Sequence, residues 1–151
     1  MASTLVKIDI HLIFHVKSTG TNMRERDLER IFSYIGGIIR NIGGLPVIVN
    51  GMPDHVHILC SLPKTSALSD FVRTIKAESS KWLKHVDNHY AKFAWQEGYG
   101  AFSVSPTLLK KTENYIMQQR EHHKKRDFAE EYKLFLDVHG VQYNERFVLE
   151  D

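Results

Sequence analysis

Residues Asp54–Pro63 read DHVHILCSLP, and this short stretch decides the fold. Successive side chains of a β-strand point to opposite faces of the sheet, so residues two apart share a face. One face of this strand is therefore apolar, and it carries Val56, Ile58, Cys60 and Leu62. The other face carries His55 and His57. We expect the apolar face to build the core and the histidine face to lie open.

The same alternation begins the chain and indicates a first strand over Val6–Val16, with His11 and His15 on its polar face. Two stretches with helical spacing of apolar residues follow on either side of the histidine strand. The remaining elements predicted from the pattern are a helix over Leu28–Ile42, strands at Leu45–Val49 and Ala101–Ser105, a helix over Leu68–Val86, a helix starting at Ser105–Pro106 and a last helix over Asp127–His139.

These elements occur in the order β-α-β-β-α-β and are followed by further helices. This is the split βαβ, or ferredoxin-like, order of an α+β fold. Such a fold has an antiparallel sheet with its two crossover helices on one face, which leaves the histidine face free. With 151 residues, we expect a single domain over 1–151.

Composition limits the classes of function only weakly. The formal net charge is +2, so any nucleic-acid surface must be local. The single cysteine, Cys60, excludes an internal disulfide and fits a reducing compartment. The chain shows neither the apolar core of a signal peptide nor an apolar run of membrane-spanning length. We expect a cytoplasmic protein without a membrane partner.

Two imidazoles on one strand face lie roughly 7 Å apart at the backbone and can converge on one ion. Neutral imidazole is a common ligand of divalent metals. His55 and His57 therefore form a candidate metal site. The alternative is that they are two polar residues on a solvated sheet face.

A second candidate group lies on the helix after Pro106. Tyr115 and Gln119 are four residues apart and so share one helix face, where they offer a hydroxyl nucleophile beside an amide oxygen. The segment from Pro106 to Arg126 holds six basic and two acidic residues, a local charge of +4 that suits a phosphate backbone. The alternative is a surface tyrosine on a solvated, charged helix.

Four segments in this order, DHVHIL, SDFVRTIKAESSKWL, WQEGYGAFSVS and NYIMQQREHH, resemble the single-tyrosine HUH transposases. These are small TnpA-like enzymes of bacterial insertion sequences, with relatives associated with repeated extragenic palindromes. The resemblance extends from about His11 to Leu149. The ferredoxin-like fold of that family agrees with the element order derived above.

The resemblance implies a role for each candidate residue. His55 and His57 match the family's metal-binding histidines, Gln119 its third metal ligand and Tyr115 its nucleophile. It further implies Mg²⁺ or Mn²⁺ as cofactor, single-stranded DNA with hairpin structure as substrate, and a covalent 5′-phosphotyrosine intermediate. The family is also dimeric, which implies a homodimer whose active sites are shared between subunits.

Other functions on this fold stay open. The chain could be a domesticated hairpin-binding or nicking protein, or a metal-dependent phosphodiesterase that uses water with Tyr115 as a bystander. No general base for Tyr115 follows from the sequence, although Asp9, His11 and His122 are candidates. Candidates for DNA contact are Lys17, Arg73, Lys76, Lys110 and Lys111 for phosphates, and Trp95 and Tyr99 for stacking on bases.

Overall fold

The structure is a computed structural model that describes residues 3–18 and 20–150. Strands and helices alternate in its first two thirds, and helices alone make up the last third. The elements are β1 (Asp9–His15), α1 (Leu28–Asn41), β2 (Pro46–Met52), β3 (His55–Ser61), α2 (Leu68–Val86), β4 (Gly100–Val104), α3 (Leu109–Met117), α4 (Gln119–His123) and α5 (Phe128–Val138). Among the described residues, no helix is both long and apolar enough to cross a membrane.

The four strands form one antiparallel sheet in the order β2-β3-β1-β4. This order confirms the predicted α+β, ferredoxin-like arrangement. The central pair is β3 and β1, and the register sets His57 between Ile13 of β1 and Asn50 of β2. The histidine strand therefore lies inside the sheet, with a neighbour on each side.

One face of the sheet packs against α1 and α2, as the alternation predicts. Val56, Ile58 and Cys60 of β3 are completely buried there. They pack with the apolar residues of β1 and of both crossover helices, including Ile35 of α1 and Ile75 of α2. This cluster is the main hydrophobic core.

The second face is not open, and that expectation is wrong. The helix α5 packs across it and forms a second apolar cluster of Ile13, Phe102, Tyr132 and Leu136. As a result His55 and His57 have 0% exposure. The sheet is shaped to receive this helix at Gly100, where a Cβ atom would lie 2.6 Å from the Tyr132 ring.

The helix that carries Tyr115 is interrupted, whereas the sequence predicts a continuous one. The helix α3 ends at Met117, Gln118 has φ −99° and ψ 31°, and α4 begins at Gln119. Asn50 of β2 stabilises this break. Its amide nitrogen Nδ2 donates hydrogen bonds to the carbonyl oxygens of Ile116 at 2.9 Å and Met117 at 3.4 Å. A bond made across the fold thus ends α3 without a local proline or glycine.

The bounds of α5 agree with the prediction. Asp127 precedes the helix, and its carboxylate accepts a hydrogen bond from the backbone N–H of Glu130 at 2.9 Å. Such N-terminal caps satisfy N–H groups that have no partner within the helix. Gly140 follows the helix with φ +67°, a conformation that favours glycine.

The β2–β3 hairpin that carries the histidine pair depends on a glycine. A Cβ atom at Gly51 would overlap the carbonyl oxygen of His55 and lie 2.9 Å from Cα of Val56. Both are backbone atoms, so a side chain can be accommodated only by moving the strand. We predict that Gly51→Ala lowers the free energy of unfolding by about 1–3 kcal/mol, as overpacking does elsewhere, in a urea titration.

Gly37→Ala is the matched control. Gly37 lies in α1, and a Cβ atom there would meet nothing within 4 Å. Because alanine is favoured over glycine inside helices by about 0.5–1 kcal/mol, this variant should be at least as stable as the parent protein. Equal stability of Gly51→Ala and Gly37→Ala would contradict the close packing of the hairpin.

Candidate active site and metal centre

The two histidines of β3 are held by their Nδ1 atoms. Nδ1 of His55 lies 2.8 Å from Oδ1 of Asp54, and Nδ1 of His57 lies 2.8 Å from Nε2 of His11. A partner on one ring nitrogen fixes the orientation of the ring and presents the other nitrogen to a ligand. Both Nε2 atoms therefore face a common point beneath α5.

That point is occupied by Glu131 of α5, which is not among the site residues predicted from the sequence. Its carboxylate has 0% exposure, and its Oε1 atom lies 2.8 Å from Nε2 of His57 and 3.5 Å from Nε2 of His55. A signal was present in the sequence, because Glu131 lies one helical turn from the apolar residues Phe128 and Phe135. A carboxylate within a buried helix stripe is unusual unless it has a partner.

The structure brings Tyr115 and Gln119 to the same carboxylate. The hydroxyl of Tyr115 donates a hydrogen bond to Oε2 of Glu131. The side chain of Gln119 is fully buried, with its Nε2 atom donating to Oε2 of Glu131 at 3.3 Å and its Oε1 atom 3.2 Å from Nε2 of His55. The four residues singled out from the sequence thus lie around one buried point, although their roles stay predictions.

Tyr115 does not donate its hydroxyl proton to any of its three candidate bases, all of which the structure describes. His11 contacts Nδ1 of His57, and Asp9 pairs with Lys7 at 2.6 Å. His122 stacks its ring on that of Tyr115, with the centroids 4.1 Å apart. The group that accepts the hydroxyl proton in a hydrogen bond is Glu131.

The neighbours of Glu131 keep its carboxylate charged. Burial alone would raise the pKa of Glu131, but hydrogen bonds from His55 and His57 hold that pKa well below its ordinary range. Burial raises the pKa of Tyr115 well above its usual value, and the hydrogen bond to Glu131 raises it further. In this arrangement the phenol keeps its proton.

The two histidines differ in their protonation. Burial lowers the pKa of His57 to about 4 despite the nearby carboxylate of Glu131, so its imidazole is neutral at pH 7. Burial also acts to lower the pKa of His55, but hydrogen bonds with Asp54 and Glu131 raise it above its ordinary value. A neutral imidazole is the form that binds a metal.

The donor atoms fit a divalent metal ion. The ligand atoms of His55, His57 and Glu131 all lie within 4.8 Å of one another, and all three side chains are buried. Two imidazoles with carboxylate or amide oxygens suit Mn²⁺ or Zn²⁺, while Mg²⁺ generally prefers an all-oxygen set. The one thiol, Cys60, points into the opposite core and takes no part.

Two of the residues considered for DNA contact have structural roles instead. Nζ of Lys76 donates to the carbonyl oxygens of residues 96, 97 and 98 at 2.6–3.1 Å, and thereby shapes the loop before β4. Trp95 is 6% exposed, and its indole nitrogen donates to Oγ of Ser79 at 2.9 Å. In contrast, the side chain of Lys110 on α3 is 77% exposed.

Comparison with known proteins identifies the family of this chain. The family model described as "Transposase IS200 like" matches residues 4–119. The ISDra2 transposase TnpA of Deinococcus radiodurans is 27% identical over 124 residues, which is 76% of this chain and 86% of that protein.

Two solved structures share the fold. A crystal structure of a candidate transposase from Deinococcus radiodurans R1 aligns with a TM-score of 0.61 and 22% identity, over 79% of this chain and 95% of that one. A REP-associated tyrosine transposase bound to a REP hairpin aligns with a TM-score of 0.52 and 13% identity, over 77% and 67%. Since the family model spans most of the chain, this protein belongs to the IS200-like family of single-tyrosine transposases.

Proposed function

We propose that this transposase cuts and rejoins single-stranded DNA through a covalent 5′-phosphotyrosine at Tyr115. The observation that carries the proposal is the shared carboxylate of Glu131. Its Oε2 atom accepts a hydrogen bond from the hydroxyl of Tyr115, and its Oε1 atom contacts both His55 and His57. A nucleophile and a pair of metal-binding histidines thus meet within one buried site.

His55, His57 and Gln119 would hold the divalent metal, Mg²⁺ or Mn²⁺, during the reaction. When bound, the ion supplies Lewis-acid polarisation of the scissile phosphate. The proposal is supported by the position of Oε1 of Gln119, 3.2 Å from Nε2 of His55. It is also supported by the Nδ1 partners Asp54 and His11, which keep both Nε2 atoms turned to the site.

In the proposed reaction the oxygen of Tyr115 attacks the scissile phosphorus. The bond from phosphorus to the 3′ oxygen breaks, and that oxygen leaves as a free 3′-OH after taking up a proton. The phenol proton passes to solvent during the attack, because the carboxylate of Glu131, to which the hydroxyl donates in the closed arrangement, binds a proton too weakly to take it. A 3′-OH of another strand then attacks the phosphotyrosine, which restores the phenol and joins the strands.

DNA can reach this site only if α5 moves. The histidine pair and Glu131 have 0% exposure, so no phosphate fits beside Nε2 of His57 while α5 covers the sheet. The helix is packed on the second cluster, which is much smaller than the main core. Its detachment would therefore leave the main core intact.

We infer that the substrate carries a hairpin. The related REP-associated enzyme is described bound to a REP hairpin. In this chain the segment with a local charge of +4 presents exposed cations at Lys110, Arg120 and Lys124, with side-chain exposures of 61–77%. Cations that contact phosphates contribute affinity without reading sequence.

Tyr115→Phe tests the covalent mechanism. With a hairpin oligonucleotide from the DNA flanking the gene and Mn²⁺, the parent protein should form an adduct that survives denaturation. The phenylalanine variant lacks the attacking oxygen and should form none, as measured by denaturing gel electrophoresis. Tyr34→Phe is the control, because Tyr34 stacks on Trp82 away from the site and its loss should leave the adduct unchanged.

The same assay separates the competing functions. Normal strand cleavage by Tyr115→Phe would contradict the proposal and favour a phosphodiesterase that uses water. Hairpin binding without cleavage or adduct, with every divalent metal tried, would favour a domesticated binding protein. The hydrogen bond from Tyr115 to Glu131 argues for the covalent mechanism, since a pure binder does not need it.

We also propose a homodimer whose active sites are shared between subunits. Within one chain, Tyr115 already lies near His57, with ring centroids 6.3 Å apart, so the proposal requires an exchange of the tyrosine helix on activation. A mixture of His57→Ala and Tyr115→Phe proteins should then regain adduct formation, because a mixed dimer holds one intact site. No recovery after demonstrated subunit exchange would place the whole site in one chain.

A further inference from the structure

Asn50 of β2 links the tyrosine helix to the sheet. Its side-chain nitrogen Nδ2 donates to the carbonyl oxygen of Ile116 at 2.9 Å and to that of Met117 at 3.4 Å. Both acceptors are carbonyl oxygens, so the group of Asn50 that faces them must be its NH₂ and not its oxygen. Ile116 directly follows Tyr115 in the chain. The amide of Asn50 therefore binds the helix turn that carries the nucleophile.

The sheet places this amide beside the histidine pair. Asn50 and His57 are partners in the register between β2 and β3. Opposed residues of an antiparallel pair have their side chains on the same face, with Cβ atoms about 4.5–5.5 Å apart. A short path thus runs from His57 across one strand pair to Asn50, and then through one hydrogen bond to the residue after Tyr115. The path includes no residue of α5.

Few other contacts hold α3 on the sheet. Within this helix, all of which the structure describes, Ile116 alone is buried. Met117 is 57% exposed and borders an open cavity of about 790 Å³ between α1 and β2. The hydroxyl of Tyr115 donates to Glu131, but that contact is made to α5. The main links from α3 to the sheet are therefore the packing of Ile116 and the two bonds from Asn50.

The bonds from Asn50 matter most when α5 moves. The proposed reaction requires this movement, because Glu131 and the histidine pair are fully buried beneath α5. Tyr115 then loses its hydrogen bond to Glu131. The bonds from Asn50 can persist, because both of their acceptors belong to α3. Asn50 is thus the polar link that remains between the tyrosine helix and the strand beside the histidines.

We propose that Asn50 is a positioning residue for Tyr115, whose amide fixes the end of α3 over the histidine strand once α5 has left. This inference rests on the proposed reaction at Tyr115. Asn50 acts through the carbonyl groups of Ile116 and Met117 and not on the reacting atoms. Its loss should therefore slow the attack on phosphorus and leave the affinity for DNA unchanged.

Rate and affinity measured separately test this role. With Mn²⁺ and a saturating hairpin oligonucleotide, Asn50→Ala should form the adduct on the order of 100-fold more slowly than the parent protein, the cost of a misplacement by about 1 Å. Its dissociation constant for the hairpin should equal that of the parent protein. Asn50→Asp keeps the shape but sets a carboxylate against two carbonyl oxygens, so it should be slowed at least as much. Parent-like rates in both variants would overturn the proposal.

Asn114→Ala and Asn114→Asp are the matched controls. Asn114 is exposed on α3 next to Tyr115, so the same chemical changes are made on the same helix without touching the bonds to β2. At saturating DNA both controls should react at the parent rate. A slowing equal to that of the Asn50 variants would assign the effect to charge or composition and overturn the positioning role.

Hydrogen exchange tests the contact without DNA. In Tyr115→Phe the hydroxyl bond to Glu131 is gone, so the hold on α3 depends more on Asn50. Addition of Asn50→Ala should then speed exchange of the backbone amides of α3 by roughly 2- to 10-fold, the effect of one lost hydrogen bond, while those of α2 keep their rates. Unchanged exchange in α3 would overturn the proposal. If the parent protein forms no adduct, the proposed reaction fails, and this measurement still decides whether Asn50 holds α3.

In a dimer with shared sites, the same contact would join two subunits. A mixture of His57→Ala and Tyr115→Phe proteins then takes its one intact histidine pair from the Tyr115→Phe chain. Asn50→Ala should slow adduct formation when it is added to that chain, and should have no effect when it is added to the His57→Ala chain. Equal slowing from both placements would contradict a role of Asn50 beside the histidines.

Discussion

A carboxylate that is removed from water must be surrounded by hydrogen-bond donors, and Glu131 meets this requirement with groups from several elements. Its partners come from β3 through His57, from α3 through Tyr115 and from α4 through Gln119. These contacts to Glu131 hold α3, α4 and α5 against the second face of the sheet. Asn50 contributes from β2, since its bonds to the end of α3 hold the break that separates Tyr115 from Gln119.

Much of the fold could be predicted because its signals are local. The alternation in β3 places Val56 and Ile58 in the core and the histidines opposite, and the structure has this arrangement. The sequence also predicts the end of α1 near Gly43 and the start of α5 after Asp127. Spacing alone drew attention to the histidine pair, and the resemblance to a known family joined it to Tyr115 and Gln119.

What the sequence could not supply was the packing of distant elements. Polar residues on a strand face normally indicate solvent, so the histidine face was expected to be open. It is covered because α5 packs on Phe102 and above Gly100, contacts that no local pattern encodes. The helix stripe marks Glu131 as unusual, but its partner follows only from the packing, since His57 lies 74 positions earlier in the chain. The break at Gln118 likewise follows from a bond to β2 rather than from a helix-breaking residue.

We propose that one tyrosine, which this packing brings to the histidine pair, forms the bond to DNA. Its most direct test is mass spectrometry of the protein–DNA adduct after digestion with protease and nuclease. We expect a nucleotide attached through its 5′ phosphate to the peptide that contains Tyr115, and a cleaved strand ending in a free 3′-OH. Attachment to another residue, or through a 3′ phosphate, would contradict it.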